Sequence, residues 1–208
     1  ADTESVELLR PEDAGVDAPL TPRSWPSVHF APMRAAHLAA RDAIKQVRPE
    51  IAVGWTLALV DLQAAPGGEE YLTYSRVFYG PAGKLPVADD APKSQVGWEI
   101  YPPALGHTVR LAAERSGVPV LVTENGLATD DDEARIAYTR GALEGLAACI
   151  ADGIDVRGYL HWTFLDNFEW VSGFHPTFGL VAVDRSTFAR TVKPSARWLG
   201  SVARANGW

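Results

Sequence analysis

Apolar side chains along this chain fall into two alternating rhythms. From Ala31 to Val47 the positions Met33, Ala36, Leu38, Ala39, Ala43, Ile44 and Val47 recur at helical spacing, which predicts a helix with one buried face. Ile51 to Val60 follows as a nearly continuous apolar and β-prone run, the pattern of a strand buried on both faces of a parallel sheet. Tyr71 to Tyr79 predicts a second strand, Pro103 to Ser116 a helix, Val118 to Thr123 a third strand, Asp132 to Asp152 a helix, Val156 to Thr163 a fourth strand and Lys193 to Ala205 a closing helix. Residues 1–30 are rich in Pro, Asp and Glu and keep no period for long, so they predict a lead-in loop ahead of one domain over 31–208.

Strands alternating with helices predict an α/β fold with a parallel sheet and right-handed crossovers. Four such strands amount to half a barrel. One connection breaks the pattern: residues 61–70 alone separate the first strand from the second, whereas a parallel crossover takes about a dozen residues and usually a helix. The expectation is a deletion or an omitted segment near 66–71. An omitted segment would also account for Ala1 standing where an initiator methionine would be.

Composition narrows the class. Over 208 residues, 47% hydrophobic and 22% charged, the chain is long enough for one substantial core and reads as a soluble globular domain. A net charge of -7 without a visible basic patch argues against nucleic acid or an anionic membrane as partner and favours a neutral small molecule. The single cysteine, Cys149, lies in a helical stretch and reads as a small core residue. No apolar run approaches the roughly 20 residues that span a bilayer, and the N-terminal residues lack a leader pattern, so the expected location is the cytoplasm. His29, His37, His107, His161 and His175 show no metal-ligand spacing, and neither a metal nor another cofactor is expected.

Two places carry candidate chemistry. Thr123-Glu124-Asn125-Gly126 follows the apolar run Val118–Val122, which sets a carboxylate at the C-terminal tip of a buried strand, where barrel enzymes keep catalytic groups. From there Glu124 could attack an anomeric carbon or orient a water. Glu-Asn-Gly is equally the chemistry of a strand-end turn. The second place is Gly158 to Trp170, where polar side chains sit between aromatic ones. Trp162 and Trp170 offer flat faces for the CH side of a sugar ring, and Glu169 offers two acceptors for hydroxyl groups. The same residues could form an aromatic core layer with a helix N-cap at Asp166 or Asn167, and that reading suits Leu165 and Phe168. It suits Glu169 less, because a buried carboxylate is costly without a ligand or partner.

Taken in order, Thr123-Glu124-Asn125-Gly126, the Trp162 to Trp170 patch, Gly173 to Gly179, Val183-Asp184 and Lys193-Pro194-Ser195-Ala196-Arg197-Trp198 resemble the C-terminal half of a family 1 glycoside hydrolase of the β-glucosidase type. Gln95 to Pro102 is similar to the segment that precedes the family's nucleophile strand. The resemblance implies a (β/α)8 TIM barrel of which this chain covers roughly strands 5 to 8. It also implies a retaining mechanism, with two carboxyl groups about 5 Å apart. Glu124 then corresponds to the nucleophile and Tyr74 to the tyrosine that orients it. Trp162, Glu169, Trp170 and Phe178 correspond to residues that stack on or hydrogen-bond the non-reducing sugar. An acidic residue at 169 implies an unphosphorylated substrate.

Three departures from the family pattern stand out. Leu72 occupies a place where a polar residue is usual, and Thr177 replaces a frequent arginine before Phe178-Gly179. No Asn-Glu pair occurs anywhere, so the family's acid/base motif is absent from this chain. The resemblance therefore implies a β-glycosidase whose acid/base lies elsewhere. The alternatives are a self-associating half-barrel, since a cut sheet exposes two edges, and a sugar-binding module without turnover.

Overall fold

The computed structural model of the chain describes residues 25–54, 69–71, 74–80 and 83–207. It divides into two compact units, Ala1–Thr56 and Leu57–Trp208.

The described residues of the first unit form one helix, α1 (Trp25–Val47), which starts ahead of the apolar repeat, with Pro26 in the first turn, where a missing N–H costs nothing. Lys45 then donates to the carbonyls of Pro49 and Ile51 at 2.9 and 2.5 Å and closes the C-terminal end. The buried face expected for this helix is not found among its described side chains, residues 35–47. None of residues 35–47 is buried, and Ile44 and Val47 are 40% and 78% exposed. A helix buries a stripe only against another element, and no second helix or strand is described in this unit. Of the strand expected over Ile51–Val60, Ile51–Gly54 is irregular and 55–60 lie outside the described residues.

The described part of the second unit begins with an antiparallel meander of β1 (Glu69–Tyr71), β2 (Arg76–Gly80) and β3 (Gly83–Lys84). Tyr71 stands opposite Arg76 and Tyr79 opposite Lys84. The single strand expected over Tyr71–Tyr79 is thus two short strands running in opposite directions, with Tyr74 in the bend between them. Both arms are β-prone and no Gly or Pro marks the reversal, so the sequence pattern alone does not break there. The helix α2 (Ala104–Ser116) ends on Gly117, whose left-handed φ of 65° lets its N–H reach the carbonyl of Ala113. The strand β4 (Val120–Val122) follows.

Next come α3 (Asp132–Ala151), capped by Asp131 Oδ1 accepting from the N–H groups of Glu133 and Ala134, and β5 (Val156–Tyr159). β4 and β5 pair in parallel, with Val120 opposite Val156 and Val122 opposite Tyr159. A 3-10 turn at Trp170–Ser172, the antiparallel pair β6 (Val181–Val183) and β7 (Arg190–Val192), and α4 (Pro194–Ala205) complete the chain. Among the described residues the parallel sheet therefore consists of one pair of strands, β4 and β5, rather than the four expected of a half-barrel.

The core lies between α2, α3 and this pair. Leu105, Val109, Val122, Ala142, Leu143, Leu146 and Cys149 form it, and Trp198, Leu199 and Val202 of α4 pack against it. α2 and α3 approach closely at Gly106 and Gly145, where a Cβ on Gly106 would sit 3.2 Å from the Gly145 carbonyl oxygen. Cys149 Sγ faces the carbonyl of Gly106 across this contact, the small buried role expected of it. α4 is tied to α3 by Asp132, whose carboxylate accepts from the backbone N–H and the hydroxyl of Ser195 at 2.6 and 2.7 Å and also pairs with buried Arg135. The Lys-Pro-Ser segment is thereby explained: Pro194 opens the helix and Ser195 docks it.

Candidate active site

The tip of β4 is held by contacts that only a few residue types allow. Past the strand, Leu160 N–H donates to Val122 O at 2.8 Å and Trp162 N–H to Asn125 O at 2.9 Å, so the pairing of the two chains continues to the tip. A Cβ on Gly126 would lie 1.8 Å from the carbonyl oxygen of Trp162, far inside van der Waals contact, which is why this position has no side chain. The Trp162–Thr163 peptide at this crossing is cis. Glu124 sits half-buried on this tip, and Asn125 beside it is fully buried.

Asn125 is held from both sides. Tyr159 of β5 donates its hydroxyl toward the backbone and side-chain oxygens of Asn125 at 3.0 and 3.1 Å. Asn125 Nδ2 donates to the Tyr138 hydroxyl of α3 at 3.0 Å, and that hydroxyl donates to the carbonyl of Tyr74 at 2.8 Å. The Tyr74 ring packs against Trp98 and Phe178, with centroids 5.6 and 6.3 Å away. Phe178 is only 4% exposed, so in this structure its ring supports Tyr74 from within the core.

Three ionisable groups converge here. Burial pushes the Tyr74 phenol far above its ordinary range, and the charges of Glu124 and Glu169 push it the same way. The Glu169 carboxyl is raised first by burial and further by Glu124, while a hydrogen bond from Trp162 Nε1 to Glu169 Oε1 at 3.2 Å works against both. Glu169 is thus not an unpartnered carboxylate, as the sequence reading had room for; one oxygen is held by an indole. His161 lies between Tyr159 and the Phe178 carbonyl, and burial lowers its imidazole to about 4.

Other expected residues are placed differently. Trp170 is 77% exposed and holds a left-handed φ of 51° in the 3-10 turn. Phe168, expected in a core layer, is 55% exposed and packs edge-on against Phe174. No helix starts at Asp166 or Asn167. Asp166 instead accepts from the N–H of Gly179 at 2.7 Å and from Lys193 Nζ at 3.0 Å, and a Cβ on Gly179 would collide with the Asp166 backbone nitrogen at 2.3 Å. Thr177 bonds to Gln95, Asp130 and the Thr129 carbonyl, so the place of the missing arginine is filled by a local polar network.

Sequence reasoning does not single out Trp98, Tyr138 or Tyr159. Trp98 was visible only as part of the Gln95 to Pro102 segment, next to Gly97 with its φ of 77°. It borders a cleft of about 490 Å³ lined also by Arg76, Phe78, Leu85, Asp90 and Glu99, in which Arg76 and Glu99 form a two-pronged ion pair. No group of three or more potential metal ligands occurs among the described residues, and no described helix is long and apolar enough to cross a membrane.

Comparison with known proteins finds relatives for most of this chain. A family model described as glycosyl hydrolase family 1 matches residues 72–208. A β-glucosidase A of Thermotoga maritima is 38% identical over 137 residues, which are 61% of this chain and 31% of the relative. A β-galactosidase of Sulfolobus acidocaldarius is 40% identical over 116 residues, 56% of this chain and 24% of the relative. Among solved structures, a β-glycosidase is 47% identical with a TM-score of 0.79, and the match covers 91% of this chain and 52% of that one. The family 1 β-glucosidase of Thermotoga maritima is 37% identical with a TM-score of 0.60, covering 65% and 34%. These relatives are (β/α)8 barrels, and the chain matches part of them, spanning about a third or less of the two curated relatives' length.

Proposed function

The chain belongs to glycosyl hydrolase family 1, and from that premise we propose that it carries the nucleophile side of a retaining β-glycosidase acting on β-glucosides or β-galactosides. The observation that carries the reading is the convergence of Glu124, Glu169 and Tyr74, each within electrostatic reach of another, on the tip of β4. Glu124 attacks the anomeric carbon and forms a covalent glycosyl-enzyme, which water later hydrolyses. Tyr74 orients the attacking carboxylate. Glu169, its Oε1 fixed by Trp162, accepts sugar hydroxyl protons, and the Trp162 ring offers a stacking face. The exposed Trp170 closes on the sugar from the solvent side. The chain corresponds to roughly strands 5 to 8 of the barrel, and the acid/base carboxylate belongs to the part of the barrel that it does not match.

A substrate whose leaving group needs no proton tests this without the acid/base. 2-Deoxy-2-fluoro-β-glucosyl fluoride carries such a leaving group, and its fluorine at C2 slows breakdown of the adduct. Mass spectrometry of the full chain after incubation should find one glycosyl adduct, on the peptide containing Glu124, and none in Glu124→Gln. A folded chain that takes up no label defeats the proposal.

The absence of any Asn-Glu pair favours a second reading, sugar binding without turnover of unactivated glycosides. It requires that the parent hydrolyse no unactivated β-glucoside and that Glu124→Gln bind an uncharged β-glucoside as tightly as the parent does.

A further inference from the structure

The Tyr138 hydroxyl occupies an unusual place. Tyr138 is one of the largest fully buried side chains, at 2% exposure, and its oxygen links Asn125, next to Glu124, to the backbone of Tyr74. Both capacities of that hydroxyl are used: it accepts from Asn125 Nδ2 at 3.0 Å and donates to Tyr74 O at 2.8 Å. The base from which Tyr138 reaches is rigid, since α3 is capped by Asp131 and Arg135, one turn earlier, is buried against the Thr177 carbonyl.

The Tyr74 ring has little freedom of its own. Trp98 lies 5.6 Å from its centroid and Phe178 6.3 Å. With the ring wedged, the direction of the phenol depends on where the backbone of Tyr74 sits. That backbone lies in the bend between β1 and β2, where regular pairing is interrupted. The Tyr138 bond to its carbonyl is therefore the contact that fixes the bend against the strand bearing Glu124.

We propose that Tyr138 is a positioning residue for Glu124 that acts through Tyr74, setting the distance between phenol and carboxylate by clamping the Tyr74 carbonyl to Asn125. The inference rests on the reading of Glu124 as nucleophile. A tyrosine that merely fills the core would show the same burial, so the test must detect coupling rather than damage.

The experiment measures the rate of Glu124 labelling by 2-deoxy-2-fluoro-β-glucosyl fluoride in the full chain and in Tyr138→Phe, Tyr74→Phe and the double variant. Tyr138→Phe should label about tenfold more slowly than the parent, within the range known for small misplacements of reacting groups. In the Tyr74→Phe background the same substitution should have almost no further effect, because the two residues act as one unit. Equal rates for the parent and Tyr138→Phe overturn the inference alone, as do effects that simply multiply in the double variant. A parent that takes up no label overturns the nucleophile reading and this inference with it. Should Tyr138→Phe fail to unfold cooperatively, Asn125→Ala cuts the same link at its other end, and the same cycle against Tyr74→Phe decides.

Discussion

His161 shows how far a single side chain at this site is specified by its surroundings. The Phe178 carbonyl can only accept, so the nitrogen 3.4 Å away, Nε2, carries the proton. Nδ1 then accepts from the Tyr159 hydroxyl at 3.3 Å, a hydroxyl that has one proton to share with two oxygens of Asn125. Burial holds the imidazole neutral by lowering it to about 4. The sign follows directly: the unfolded chain, with histidine near 6.5, binds a proton that the folded chain refuses. The contribution to stability is complete above about pH 6.5 and is lost as pH falls toward 4, at most about 3 kcal/mol. Urea midpoints taken across that range should fall for the parent and fall less for His161→Gln; parallel curves would show that His161 does not carry the effect. None of this is legible in the sequence, where His161 is one of five histidines without a pattern. Glu124 is legible because a strand tip and a turn fix its place locally, whereas the roles of Tyr138 and Tyr159 depend on partners 64 and 34 residues away.

At the scale of elements, α2, α3 and α4 are legible nearly to the residue because each carries an apolar face together with local stop or start chemistry: Gly117, Asp131 and Pro194. The meander is not, since two short β-prone arms read as one strand until the register sets Tyr71 opposite Arg76. The joint between α3 and α4 makes the sharpest demand. Burial pushes the Asp132 carboxyl upward, but the bonds from Ser195 and the pairing with Arg135 outweigh it, and the group ends below its ordinary range. Replacing Asp132 by Ala takes the carboxylate partner from the almost fully buried Arg135 guanidinium, leaving it the Thr129 and Thr177 carbonyls, and strips Ser195 of its acceptor. The expected cost is about 3–5 kcal/mol, as for a broken buried ion pair. Ser195→Ala, which leaves the ion pair intact, should cost about 1 kcal/mol. Chemical denaturation of both variants checks the order, and a larger loss for Ser195→Ala would contradict it.

For the second unit as a whole, the surface around the parallel pair is unusually apolar. Leu121, Leu160, Phe164 and Ile150 are all exposed, and a groove of about 840 Å³ runs between α3, α4 and Phe164. Patches of this kind mark surfaces that meet other polypeptide, and β4 and β5 form a two-stranded sheet whose outer edges carry no named strand among the described residues. The full chain should therefore sediment with a coefficient that rises with concentration, and Phe164→Glu should weaken that rise; a single concentration-independent species would argue against association. Half a barrel implies such a surface, but the sequence does not give its position, because a loop side chain such as Phe168 reads as core. One further contact bears on motion. Arg135 bonds the carbonyls of Thr129 and Thr177 with one guanidinium nitrogen. Neither the segment that follows Glu124 nor the one that precedes Phe178 can swing open alone without breaking that shared buried anchor, so the floor of the site loosens as one cooperative piece or stays shut.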